Sequence, residues 1–563
     1  MTDPAARALA PMFGKLPRVR PLGWLGALAI AVAATIALPS LSVALNVFQP
    51  DGGAWAHLWA TTLPRILGNT VWLMILVALG TGAIGVAAAW FVTMCRFPGS
   101  RALELLLLLP LAMPAYIIGY AYTDLLQFAG PVQSALRETF GWRRGDYWFP
   151  EIQSLGGAAA MLVLVLYPYV YLLARAAFLE QSVCVLEASR VLGRNAWGAF
   201  ARVALPLARP AIAAGVALAL METLADFGTV QYFGVDTFTT AIYRTWFGMD
   251  NRVAAAQLAT ALLGVVLLLL ALERHSRGAA RFHHTSRRYR PLSPLRLTGW
   301  RAGAAFALCA LPAVLGFVVP FATLLRLAID VGDPFWGPRF LDYALNSLTV
   351  STLAAFACVG TALALAYAQR RDPGPGTRAS VRIAATGYAI PGSVIAVGVL
   401  LPLAVFDNAL DAALRAAFGV SSGLLLSGTL LALVYAYSVR FLAVALGAVE
   451  AGMGKITRSM DEAAASLGAG PGRTLARVHA PLMGGSILTA GMIVFVDALK
   501  ELPATLIVRP FGFDTLAVRV YQLASDERLA QASTSAVAIV AVGLVPVALL
   551  CWTIARARPG ARR

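Results

Sequence analysis

Two short stretches place carboxylates inside strongly apolar sequence. They are Met221-Glu222-Thr223-Leu224-Ala225-Asp226-Phe227-Gly228 and Asp497-Ala498-Leu499-Lys500-Glu501-Leu502-Pro503-Ala504-Thr505. In each, two acids stand four residues apart and so share one helix face. Glu222 and Asp497 are 275 residues apart, as are Asp226 and Glu501. An ionisable group within a membrane span is costly and marks a functional site by default. Here the acids would form a gate or entry ring facing an incoming solute. The competing role is pairing between helices, with Arg440 or Lys500 as the cation, or solvation at headgroup level. Counting from Pro206 and Pro481 at ~1.5 Å per residue puts Asp226 and Glu501 roughly 30 Å along, near the outer face. Tyr167, Tyr169 and Tyr171 parallel Tyr435 and Tyr437. Tyr167 and Tyr435 join the acids as candidates for lining a polar passage; the alternative for such tyrosines is interfacial anchoring or packing.

Other chemistries find little support. Cys95, Cys184, Cys309, Cys358 and Cys551 form no CxxC pair and read as small packing residues, with no metal or disulfide framework. The histidines lie mostly in the middle of the chain, and no Ser/His or His/Cys constellation suggests a catalytic residue. Gly472-Arg473-Thr474 superficially matches the end of a phosphate-binding loop. That loop needs glycine where Leu467 stands and lysine where Arg473 stands. No nucleotide site is expected on this chain.

The elements that must position the acids follow from hydropathy. Of 563 residues, 59% are hydrophobic and 13% charged, and the mean hydropathy is +0.73. A soluble domain cannot cover that much apolar side chain. The fold class is therefore all-α, a polytopic membrane protein of about twelve transmembrane helices. The spans fall near 22–45, 69–93, 102–127, 153–178, 208–230 and 253–273, then 302–328, 345–369, 380–405, 423–449, 482–508 and 532–555. Pro110, Pro114, Pro168 and Pro391 fall inside spans, where lipid-embedded bundles tolerate them. The first span is too long for a signal-peptide core and is expected to stay uncleaved.

The formal net charge is +17, but the basic residues sit in alternate gaps between spans. That is a topology signal, and no polar domain exists to carry a nucleic-acid patch. With the N-terminus inside, the inner segments collect roughly 31 basic residues against roughly 11 outside, so both termini are expected to be cytoplasmic. A basic linker over 274–300, expected to face anionic lipid, separates an N-terminal half, 1–273, from a C-terminal half, 301–563. The halves resemble each other. Asn69-Thr70 matches Asn346-Ser347, and Ala112-Met113-Pro114 matches Ala389-Ile390-Pro391, each 277 residues on. Tandem halves of equal span number share an orientation and predict a pathway between them.

Each half also carries one distinctive inner loop, over 186–206 and 461–481. The first reads Leu186-Glu187-Ala188-Ser189-Arg190-Val191-Leu192-Gly193 and ends Val203-Ala204-Leu205-Pro206. The second reads Asp461-Glu462-Ala463-Ala464-Ala465-Ser466-Leu467-Gly468 and ends Val478-His479-Ala480-Pro481. The pattern predicts a short helix, a turn at glycine and a second short helix closed by proline at the next span. Alanines admit a partner surface, and the carboxylate gives it directional pairing.

This pattern resembles the EAA loop of permeases in ATP-binding-cassette importers, with Ser189 standing for alanine and Ala480 for leucine. The resemblance implies the type I importer permease fold, two tandem six-helix repeats in one chain, at the bacterial inner membrane. It implies that Glu187, Ala188, Gly193 and Pro206, with Glu462, Ala463, Gly468 and Pro481, couple to two copies of an ATPase subunit. ATP and magnesium would be bound by those partners, with no cofactor on this chain. Leu224-Ala225-Asp226-Phe227-Gly228-Thr229-Val230, Val235 to Tyr243, and Lys500 to Thr505 with Phe513 to Ala517 resemble the fused ferric-iron uptake permeases. That family implies a periplasmic binding protein that delivers Fe³⁺, and Trp142, Tyr147, Trp148 and Phe149 are a secondary candidate for its docking. Thiamine and 2-aminoethylphosphonate permeases share much of the pattern. An ion-coupled secondary transporter is the rival from another class, and it leaves the paired loops unexplained.

Overall fold

The computed structural model describes residues 23–50, 53–143, 145–180, 196–277, 295–333 and 337–556. Its architecture is helical. The N-terminal half contributes α1 (Trp24–Leu45), α2 (Leu63–Met94), α3 (Ala115–Leu126), α4 (Leu155–Glu180), α5 (Leu205–Ala225) and α6 (Arg252–Arg277). The C-terminal half contributes α7 (Trp300–Asp330), α8 (Pro338–Arg371), α9 (Gly392–Phe418), α10 (Leu430–Met453), α11 (Gly484–Leu499) and α12 (Leu529–Arg556). Among the described residues ten helices are long and apolar enough to cross a membrane, and two bent pairs raise the number to as many as twelve. The strands Cys95–Arg96 and Leu295–Arg296 pair in parallel, tying the end of the linker to the end of α2.

Each half is built on the same three-helix core. α2, α4 and α5 pack together in the first, and α8, α10 and α11 in the second. The leading helices cross over. Helix α1 packs on α8 and α9 of the other half, and the hydroxyl of Tyr435, on α10, donates to the Thr35 carbonyl at 2.5 Å. Helix α7 packs reciprocally on the N-terminal half, where the Tyr122 hydroxyl donates to the Leu315 carbonyl at 2.8 Å. The exchange binds the halves into one bundle.

The repeat seen in sequence has a structural cause. Asn69 Nδ2 donates to the Asp236 carbonyl at 3.0 Å, and Asn346 Nδ2 donates to the Asp514 carbonyl at 3.0 Å. Each asparagine fastens a long helix to the segment leading into a short one, Phe238–Phe247 or Leu516–Ser525.

Four expected spans are broken rather than continuous. Proline disfavours helical backbone in the residue before it. Met113 (φ −99°, ψ 117°) and Ile390 (φ −84°, ψ 125°) are accordingly extended, and α3 and α9 begin only after Pro114 and Pro391. The expected span 208–230 ends at Ala225, because Asp226 is extended (ψ 135°) and a five-residue helix, Gly228–Tyr232, follows. The expected span 482–508 ends at Leu499, before the short helix Pro503–Val508. All four breaks converge on one place between the halves.

Candidate functional site

Asp226 and Glu501 stand at the breaks after α5 and α11, where amide groups lose their helical partners. The Asp226 carboxylate accepts from Thr229 N at 3.1 Å, Thr229 Oγ1 at 2.9 Å and Val230 N at 3.1 Å, capping the short helix that follows. Glu501 Oε1 accepts from Ala504 N at 3.1 Å in the same way. Asp226 is thus spent largely on the helix that follows it, and Glu501 partly so, a role that charge-assisted hydrogen bonds fill well.

Glu222 and Asp497, one helical turn earlier, are more open, with side chains 24% and 18% exposed. Two cations from the C-terminal half meet them. Arg440 Nη1 lies 3.3 Å from Glu501 Oε1, and Arg440 Nη2 lies 4.0 Å from Glu222 Oε2 in the other half. Lys500 Nζ lies 2.9 Å from Asp497 Oδ1. The start of α9 is pressed against this cluster. A Cβ on Gly392 would overlap Arg440 Nη1 and lie 2.6 Å from Glu501 Oε1, so any larger residue there would displace the Arg440–Glu501 pair.

These groups line a cavity of about 120 Å³ between the halves, together with Tyr116, Tyr169 and Tyr388. A second, largely apolar cavity of about 650 Å³ lies toward the end of the bundle that carries the loop 461–481. It extends along α11 from Lys500 to Thr489 and reaches Arg274 near the end of α6. Leu111, Tyr169, Tyr388, Asp497 and Lys500 line both cavities and form the septum between them.

The four sequence-predicted acids therefore come together. They do so deeper than the residue count suggested, since Tyr169 and Arg440 stand about midway along α4 and α10. One reason is that α11 begins only at Gly484, after an 80° bend. Tyr167 and Tyr435 are not brought to the site. The Tyr167 hydroxyl donates to the Leu107 carbonyl at 3.0 Å, and Tyr435 holds α1. Tyr169 and Tyr388 line the cavities instead. Tyr388 stands three residues before Pro391, the repeat marker, which was the available signal for it. Among the described residues no three His, Cys, Asp or Glu side chains gather as metal ligands.

The second loop is described in full. Its first helix, Arg458–Ser466, turns at Gly468 (φ +75°) into Pro471–Thr474, and Leu475–His479 then forms one π-helical turn. Asp461 anchors it. Its carboxylate accepts from Arg370 at 2.7 Å and contacts His479 Nε2 at 2.5 Å. Burial works to raise the Asp461 pKa, but the hydrogen bonds from Arg370 and His479 outweigh it and hold the carboxyl below its ordinary value. Glu462, Ala463, Gly468 and Pro481 are exposed, and Leu467 is 87% exposed. In the first loop Glu187, Ala188 and Gly193 lie outside the described residues. Pro206 stands in the first turn of α5, behind a matching π-helical turn, Phe200–Ala204.

Residues 81–274 match the family model described as the binding-protein-dependent transport system inner membrane component. Over 543 residues the chain is 26% identical to the Fe(3+)-transport system permease protein FbpB 2 of Haemophilus influenzae, covering 95% of this chain and 99% of that protein. It is 23% identical to the ferric transport system permease protein FbpB of Actinobacillus pleuropneumoniae, over 83% of this chain and 69% of that one. The sulfate transport system permease protein CysT of Escherichia coli is 27% identical over 44% of this chain and 88% of its own length.

Proposed function

We propose that this chain, an inner-membrane permease of the binding-protein-dependent transport class, is the fused membrane subunit of an importer for ferric iron. The observation that carries the reading is the charged cavity built by both halves at mid-depth, with a larger cavity leading from it toward the loop end. A solute released by a binding protein at the opposite end would meet carboxylates and phenols, oxygen ligands that suit a hard trivalent cation. The ferric transport permeases among its relatives support that cargo.

The loop end is the cytoplasmic end, and both termini lie there. The exposed face of Glu462, Ala463, Leu467 and Gly468 seats one ATPase subunit, and Glu187, Ala188 and Gly193 of the first loop seat a second. Pro206 and Pro481 close the two loops at the following spans. ATP and magnesium bind to those partners. Residues 278–294 of the basic linker lie outside the described residues, and the linker's charge suits it to anionic lipid headgroups.

The pathway residues are Glu222, Asp497 and the septum tyrosines, while Asp226 and Glu501 hold the broken helices in place. Purified chain, ATPase and binding protein are reconstituted in liposomes and ATP-driven uptake of radiolabelled ferric ion is followed. Uptake that needs all three components supports the reading. Uptake of 2-aminoethylphosphonate in place of iron would favour a second cargo, since a putative permease for that compound from Salmonella paratyphi A is 27% identical over 45% of this chain.

A further inference from the structure

The charged cavity is chemically lopsided. Its acids occur in both halves, Glu222 matching Asp497 and Asp226 matching Glu501 at the 275-residue offset. Its cations do not. At the same offset Arg440 corresponds to Val165 and Lys500 to Ala225. Packing supports that register on α4 and α10. A Cβ on Gly387 would run into the Val439 carbonyl, while their counterparts Pro110 and the Leu164 carbonyl both stand within 3 Å of a Cβ placed on Gly316.

Arg440 is also held unequally. It sits 3.3 Å from Glu501 in its own half and 4.0 Å from Glu222 in the other, at the limit of an ion pair. Its Nε is buried and has no hydrogen-bond partner. A guanidinium does not deprotonate in a protein, and a half-buried carboxylate at mid-membrane is stabilised by a nearby counter-charge. Among the described residues Arg440 is the cation nearest to Glu222.

We propose that Arg440 is a tethered stand-in for a cationic cargo, pairing with Glu222 across the halves until a multivalent cation displaces it. This rests on reading the chain as a cation importer. Coulomb attraction scales with charge, so a di- or trivalent ion competes for Glu222 where a monovalent ion does not. Arg440 keeps Glu501 during the exchange and so remains compensated. When the ion leaves, Arg440 returns and seals the path against smaller cations. The tether is thus both a filter and a plug.

The test uses the whole complex in liposomes, with Mn²⁺ as the probe and no ATP. Arg440→Gln should raise passive Mn²⁺ entry about tenfold or more, the factor given by removing ~1.4 kcal/mol of barrier. Arg440→Lys should keep the seal. Adding Glu222→Gln to Arg440→Gln should suppress the leak again, since the bare carboxylate that attracts the ion is gone. Co-purification of the ATPase with each variant reports assembly. A complex carrying Arg440→Gln that is as tight as the parent overturns the proposal. So does a leak that persists undiminished in the double variant, which would make Arg440 a steric plug alone. If Arg440→Gln fails to assemble, the decision falls to Glu222→Gln in the parent. Loss of ATP-driven iron uptake in an intact, tight complex supports the exchange, and unchanged uptake overturns it. Failure of the parent to import iron would instead refute the cargo assignment, which the Mn²⁺ leak does not depend on.

Discussion

Arg370 and Asp461 meet at 2.7 Å where α8 ends and the second loop begins, and Arg370 also donates to the carbonyls of Met453, Ile456 and Thr457. One guanidinium thereby fixes the end of α10 and the start of the loop helix to the rigid core. Motion imposed on the loop would on this arrangement reach α8 and α10 rather than be absorbed at the junction. Hydrogen bonds to charged groups contribute about 1.5–3 kcal/mol each. Asp461→Asn should lower the melting temperature of the complex and weaken coupling of ATP hydrolysis to uptake, with the cavity unchanged. Melting curves and the ratio of ATP hydrolysed to ion imported give the readout.

The pH dependence of that anchor has a definite sign. A carboxyl whose folded-state pKa is depressed contributes stability that is fully present above its unfolded value, about 4, and is lost as pH falls through the lower folded value. The loop should therefore hold at pH 5 to 8 and loosen only below about 4. Limited proteolysis at Arg473 and Arg477 across that range measures it, and Asp461→Asn should abolish the dependence.

Glu462 projects from the loop surface and makes no structural contact that its loss would expose. Glu462→Lys should leave expression and melting temperature within about 0.5 kcal/mol of the parent, as surface changes do. ATPase retention on the purified chain should fall sharply. Pull-down with the matching Glu187→Lys, alone and combined, shows whether two sites act.

Asn69 and Asn346 make the same hydrogen bond in each half. Replacing either with alanine leaves a carbonyl unpaired at a cost of about 1–3 kcal/mol, and the two losses should add because the sites lie in separate halves. Thermal unfolding of the single and double variants checks both statements.

A side chain at Gly392 would push the ends of Arg440 and Glu501 out of their present pairing. Gly392→Ala should impair uptake while the ATPase still co-purifies, and Gly264→Ala, in open space on α6, should not. Transport assays on the two variants make the comparison.

Much of this architecture was legible in the sequence because it is carried by local pattern. Apolar length marks the helices, and the 275-residue offset marks the loops and the acids. The breaks at Met113 and Ile390 follow from proline. What the sequence concealed is long-range. Tyr167 and Tyr169 differ in placement through the face of α4 they occupy, which depends on how α4 packs against the segment around Leu107. Arg440 could be named as a partner, but its division between Glu501 and Glu222 depends on how closely the halves approach. That Asp226 and Glu501 also cap the helix breaks was hidden, because their backbone partners, Thr229, Val230 and Ala504, appear only once the helices break.

In the proposed mechanism cargo crosses between the halves through the charged cavity, driven by ATPases seated on the loops. The most direct measurement is ATP-driven ferric-ion uptake in liposomes holding the complete complex, comparing the parent chain with one carrying Tyr169→Cys and Tyr388→Cys. These residues face the septum from opposite halves, so a bifunctional methanethiosulfonate reagent that spans the two cysteines would lock it. Crosslinking is expected to stop uptake in the double-cysteine variant, reduction to restore it, and ATPase co-purification to be unaffected throughout. Undiminished uptake with the crosslink formed would place the pathway elsewhere and contradict this reading.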